Sequence, residues 1–140
     1  MRAVDERKPD AVQICVFALV VMATWTLVIK FLAPILYVVA EEKAGNPGVA
    51  APIMWDFWWV AHLWLAHLMW YRHRWAWWAA ALISWVEVVI VVVKFFFYLR
   101  DPIWDLWHLL WFVNKVYVLV FFLILSFLLI RPWFKRQLKG

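Results

Sequence analysis

Four long apolar runs fill most of this chain, at about residues 12–39, 52–71, 75–99 and 103–130. Each matches or exceeds the roughly 20 residues that a helix needs to cross about 30 Å of hydrocarbon. Short polar stretches separate them: EEKAGNPG after the first, YRHR after the second, LRDP after the third, and RPWFKRQLKG at the end. These carry the glycines, prolines and charges that stop helices. In lipid every backbone N–H and C=O must be satisfied within the protein, which leaves helices or closed barrels. No alternation over about ten residues marks a barrel strand, so the VVIVVV run is read as helix despite its β-branched residues.

The first run is too long for the apolar region of a cleaved leader, which is roughly 7–15 residues, and is read as a membrane helix. Composition agrees: 69% of the 140 residues are hydrophobic, against about 45–50% in soluble domains. A domain this small has too little interior to hide that excess from water. The sequence therefore predicts one all-α domain over residues 1–140. It is an integral membrane four-helix bundle, its four transmembrane helices in antiparallel up-down arrangement.

Basic residues set the expected orientation. Arg2, Arg7, Lys8, Arg72, Arg74, Arg131, Lys135, Arg136 and Lys139 fall on one side, and only Lys43 and Arg100 on the other. Both termini are thus expected in the cytoplasm, most simply at a bacterial inner membrane. Tryptophans form two interfacial belts: Trp55, Trp58, Trp59, Trp104 and Trp107 outside, and Trp70, Trp75, Trp77, Trp78 and Trp133 inside. Trp25, Trp64, Trp85 and Trp111 fall deeper. The net charge of +5 resides at the ends of apolar runs rather than in a water-facing stripe, which argues against nucleic acid as a partner. Cys15 stands alone, so the chain holds no internal disulfide and no cysteine-rich metal site.

Charges inside membrane spans are costly and demand an account. Ser84, Glu87, Val91 and Lys94 recur on one face of the third run, and Asp105, His108, Phe112 and Lys115 on one face of the fourth. A hairpin centred near Asp101 would bring Glu87 level with Lys115 and Lys94 level with His108. A second turn near His73 would put Trp59 at the level of Glu87. The expected intramembrane polar network comprises Lys30, Asp56, Glu87, Lys94, Asp105, His108, Asn114 and Lys115, centred on Glu87 and Lys115. Its three lysines and three carboxylates cancel, as low dielectric requires. Pro34 cannot donate to the carbonyl of Lys30, so an unpaired backbone acceptor is expected beside that lysine.

His62, His67, His108, Asp56 and Asp105 are the candidate metal or cofactor ligands. His62 and His67 are five residues apart and point in different directions, so each would ligate haem or pigment separately. No sequence motif requires a cofactor, and none specifies a catalytic residue. The loops are too short for a water-side active site, and the apolar surface suits lipids, other integral membrane subunits or further copies of the chain. The expected function is a small non-catalytic subunit of a larger membrane assembly, of an energy-transducing or oxidoreductase kind. Two alternatives stand beside it: a small proton-coupled transporter or channel using Glu87, and a haem-, pigment- or metal-binding membrane protein.

Overall fold

A computed structural model describes residues 10–48 and 57–139. Six α-helices follow one another: α1 (Ala11–Leu27), α2 (Ala33–Lys43), α3 (Trp58–Trp70), α4 (Ala76–Tyr98), α5 (Leu106–Leu129) and α6 (Pro132–Lys139). No strand occurs among the described residues.

Asp10 starts α1 with a capping box. Its side chain accepts the Gln13 N–H at 2.9 Å, and the Gln13 side chain accepts the Asp10 N–H at 3.1 Å. The helix continues unbroken to Lys43, joined to α2 through a π-helical turn over Val28–Leu32. Pro34 explains that turn. It has no N–H for the Lys30 carbonyl, and its ring crowds that carbonyl, so the backbone widens. The Ala33 N–H then bonds to Val28 O, five residues back. The whole rod of 33 residues is about 50 Å long, longer than a bilayer core, so its polar Glu41–Glu42–Lys43 end lies beyond the apolar part.

Two helix ends use the same C-terminal device with different residues. After α2, Gly45 at φ 88° donates to Glu42 O and Asn46 donates to Glu41 O. After α3, Arg72 at φ 53° donates to Met69 O and His73 donates to Leu68 O. Both are left-handed caps whose N–H groups satisfy orphan carbonyls of the last turn. Arginine is strained by about 1 kcal/mol where glycine is not, and what its side chain does there accounts for its use. The Arg72 guanidinium reaches Asp10 Oδ2 at 2.6 Å and Gln137 O at 2.5 Å. One residue thereby ties the start of α1, the end of α3 and the body of α6 together.

The helices form a ring in chain order. α1 packs most closely on α3, and α4 on α5, while α3 meets α4 and α5 closes back onto α1. Ring pairs show the directions. Trp25 meets Tyr117 at 6.0 Å and Tyr37 meets Trp107 at 6.2 Å, so α1–α2 and α5 run antiparallel. Phe95 against Phe112 at 4.9 Å, with the Trp77 indole N–H donating to Leu129 O, shows the same for α4 and α5. Inside, Leu19, Met22, Leu65, Met69, Ala80, Val118, Phe122 and Leu125 make the core, and α6 folds Phe134 and Leu138 under it.

Among the described residues, three helices are long and apolar enough to cross a membrane: Ala11–Lys43, Ala76–Tyr98 and Leu106–Leu129. Between 28% and 39% of the most apolar stretch of each is buried within the chain. The remainder faces outward as valine, leucine, phenylalanine and tryptophan, a surface that belongs in lipid or against other apolar helices. The second run differs from expectation. Its described helix, α3, has 13 residues and rises about 20 Å, short of a full crossing. Residues 52–56 of that run, Asp56 included, lie outside the described residues.

Candidate functional site: a buried polar layer

Four helices turn polar side chains into the middle of the ring. Thr26 comes from α1, Lys30 from the π turn, His62 from α3, Ser84 and Glu87 from α4, and Asn114 and Lys115 from α5. All are at most 5% exposed. The local reason is periodicity. Ser84, Glu87 and the apolar Val91 repeat at three and four residues and share the inward face of α4. The π turn directs the middle of the first helix, where Lys30 lies, to the same interior.

At the centre His62 Nε2 lies 2.5 Å from Glu87 Oε1, both side chains 3% exposed. The His62 ring also packs on Phe122 at 5.5 Å. The pair holds α3 to α4 through a short hydrogen bond in an apolar surround, where such bonds are strong and loss of either partner is expensive. Around it three buried polar atoms have no hydrogen-bond partner among the described residues: His62 Nδ1, Ser84 Oγ and Asn114 Nδ2. Native proteins hold few such atoms, and those that occur call for a functional or solvent explanation.

The partner of Glu87 differs from the expected one because the register does. Trp59 was expected level with Glu87, but His62 meets it, eleven residues before His73 against fourteen after. On α4 and α5, Phe95 meets Trp111 and Phe112, and Tyr98 stacks with His108. Those partners lie about four residues farther along α5 than a turn at Asp101 implies. Two causes add. The α4–α5 loop runs from Leu99 to Asp105, which moves its midpoint onward to Pro102. Each Cβ also leans toward its helix N-terminus, so in a hairpin the second helix reaches back toward the turn while the first reaches away. Lys115 therefore stands nearer the level of Val91 than of Glu87. The ring contacts of Trp25 and Tyr37 place Lys30 between them, at about the level of Asn114 and Lys115. The polar layer runs from Ser84 to the level of Val91, about 10 Å of helix rise.

Lys94, Asp105 and His108 are separate from that layer. Asp105 is the N-cap of α5: its Oδ1 accepts the His108 N–H at 2.8 Å and faces His108 Nδ1 at 2.7 Å. These bonds, the backbone one first and the ring one next, hold the Asp105 carboxyl below the usual range. Both side chains are open to the surface, 34% exposed for His108 and 50% for Asp105. Lys94 and His108 line one outward groove of about 410 Å³ with Val93, Phe97, Tyr98 and Trp111. The capping role of Asp105 had a signal in the sequence, an aspartate directly before an apolar periodic run. The Asp10–Arg72–Gln137 tie had none, because its members are about sixty residues apart.

Among the candidate ligands, His62 commits its Nε2 to Glu87, and His67 faces outward with its ring on Tyr71 at 4.8 Å. His108 and Asp105 are paired with each other, and Asp56 lies outside the described residues. No three His, Cys, Asp or Glu side chains converge as a metal set among the described residues.

Comparison of this chain with protein families, curated proteins and solved structures finds no match.

Proposed function

We propose that this chain is a small non-catalytic subunit of a larger membrane assembly, one that transduces energy or moves electrons. In this reading the second apolar run is the fourth membrane crossing, and both termini face the cytoplasm. The observation that supports the subunit role is the placement of two deep tryptophans. Trp64 and Trp85 are 54% and 71% exposed, within α3 and α4, far from either end of α4. Their matched positions across the hairpin repeat those of His62 and Glu87, so they share one level. An indole N–H favours the interface, where it finds water or headgroups. At mid-helix facing outward it needs a polar partner, and a neighbouring helix supplies one. Photo-crosslinking from position 85 in the native membrane tests the reading. A discrete adduct with one other membrane chain, absent when the probe is at Phe127 on α5, is the expected result. Labelling of lipid alone at both positions would end it.

A second reading rests on the His62–Glu87 pair itself. A proton passes between ring nitrogen and carboxylate oxygen with no change in the pair's net charge, and Ser84 Oγ and Asn114 Nδ2 stand in the same layer. Buried carboxylates and histidines in membranes serve as proton relays. Glu87→Gln in proteoliposomes is then expected to abolish pH-driven flux. Flux equal to the unaltered protein would remove Glu87 from any such path.

A further inference from the structure

The groove beside Lys94 combines two unlike features. It joins a charge inside a membrane helix to a long apolar trough. Lys94 lies one turn before the end of α4, within the apolar stretch Ala76–Tyr98. It makes no hydrogen bond or ion pair among the described residues. A solvated lysine at that depth lifts its ammonium toward the interface along its own stem. Here Lys94 lines an open groove together with Val93, Phe97, Tyr98, His108 and Trp111.

Two cations flank the groove, and the nearer carboxylate is already engaged. Phe97 also carries the Arg100 guanidinium, 5.7 Å from its ring centroid, with Phe96 at 4.6 Å from the same group. A second cation thus stands at the outer end, about 9 Å beyond Lys94 by helix rise. The opposing carboxylate, Asp105, already accepts the His108 N–H and faces its ring nitrogen. Asp101 is exposed in the loop beyond, and Tyr98 spends its hydroxyl on Ile103 O at 2.5 Å. Two cations and an apolar trough, about one turn below the interface, match an amphiphile with a negative head and a long chain.

We propose that this groove seats an anionic phospholipid, its phosphate between Lys94 and Arg100 and an acyl chain along Val93, Phe97 and Trp111. The volume of about 410 Å³ takes part of one acyl chain, so the lipid is half-embraced and exchangeable rather than enclosed. The site requires only that α4 and α5 lie in a membrane, and it stands whether or not a partner subunit covers Trp85.

The test uses the full chain in phosphatidylcholine vesicles doped with a phosphatidylglycerol that carries a photoactivatable group in its acyl chain. After illumination, labelled peptides are mapped. Labelling at residues 93–98 and 108–111 is expected, several-fold above that from a matched phosphatidylcholine probe. It should drop several-fold in Lys94→Gln and persist in Lys94→Arg, which separates loss of charge from loss of fold. Equal labelling by the two probes, or labelling unchanged in Lys94→Gln, would overturn the proposal. A fatty-acid probe labelling the groove more strongly than phosphatidylglycerol would overturn its choice of lipid.

Discussion

Two carboxylate–histidine pairs stand among the described residues, and they differ in nearly everything but their chemistry. His62 and Glu87 join α3 to α4 in the middle of the ring, each side chain 3% exposed. Asp105 and His108 are three residues apart on one helix start, open to the surface. The first pair is a tertiary contact closed by burial. The second is a local cap that forms with its own helix. A charge count along the sequence puts Glu87, Asp105 and His108 in one network, and the structure separates Glu87 from the other two by burial. The contrast shows that in a membrane chain depth along a helix is not enough; the face that a residue takes decides whether its charge is a constraint or an ornament of the rim.

The largest expected effect is on the inner pair. Glu87→Ala leaves His62 buried with neither nitrogen bonded, and such losses cost about 3–5 kcal/mol. Asp105→Ala should cost far less. Thermal unfolding of both variants in one detergent compares them directly, and equal losses would break the contrast.

The next effect concerns the base of the bundle. Arg72→Ala removes the tie to Asp10 and Gln137, and limited proteolysis should then release α6 several-fold faster. Arg72→Gly gives up the same contacts but recovers about 1 kcal/mol of left-handed strain, so it should lie between Arg72→Ala and the unaltered chain in stability.

pH sharpens the rim side. Burial nudges the Asp10 carboxyl upward, but the Gln13 N–H and the Arg72 guanidinium together outweigh it and leave it below its ordinary value. A carboxyl depressed in the fold stabilises above its unfolded value of about 3.9 and loses that stability as pH falls through the folded value. Asp105 has the same sign. Release of α6 should therefore accelerate only on the acid side, below about pH 4, and Asp10→Asn should remove most of that acid sensitivity. A release rate that rose instead between pH 6 and 8 would contradict the assignment.

The smallest effect belongs to Ser84. Its hydroxyl is buried without a partner among the described residues, so Ser84→Ala removes a desolvated group and is expected to leave stability unchanged or slightly raised. A loss of more than about 1 kcal/mol would mean that the hydroxyl is satisfied in the membrane, by water or a neighbouring chain.

Much of this architecture was legible beforehand. Run length and the absence of alternation gave helices, and Ser84, Glu87, Val91 and Lys115, on the faces that periodicity picks out, are buried. The partners were not legible. Periodicity fixes which residues share a face, but pairing across a hairpin also needs the loop midpoint and the lean of each Cβ. Both errors had the same sign, which moved Lys115 away from the level of Glu87 and brought His62 to it. Lys94 and His108 could not be told from buried residues, because they continue the same stripe past the point where the bundle gives way to its rim.

The separation of inner pair from rim pair is tested most directly by two double-mutant cycles on the purified chain. One uses His62→Ala and Glu87→Ala, the other Asp105→Ala and His108→Ala, both read by unfolding free energy. The account predicts a coupling of about 2–3 kcal/mol for the first cycle and a much smaller one for the second. Additive losses at His62 and Glu87 would contradict it, because a buried hydrogen bond whose partners do not sense each other's removal is not holding these helices together.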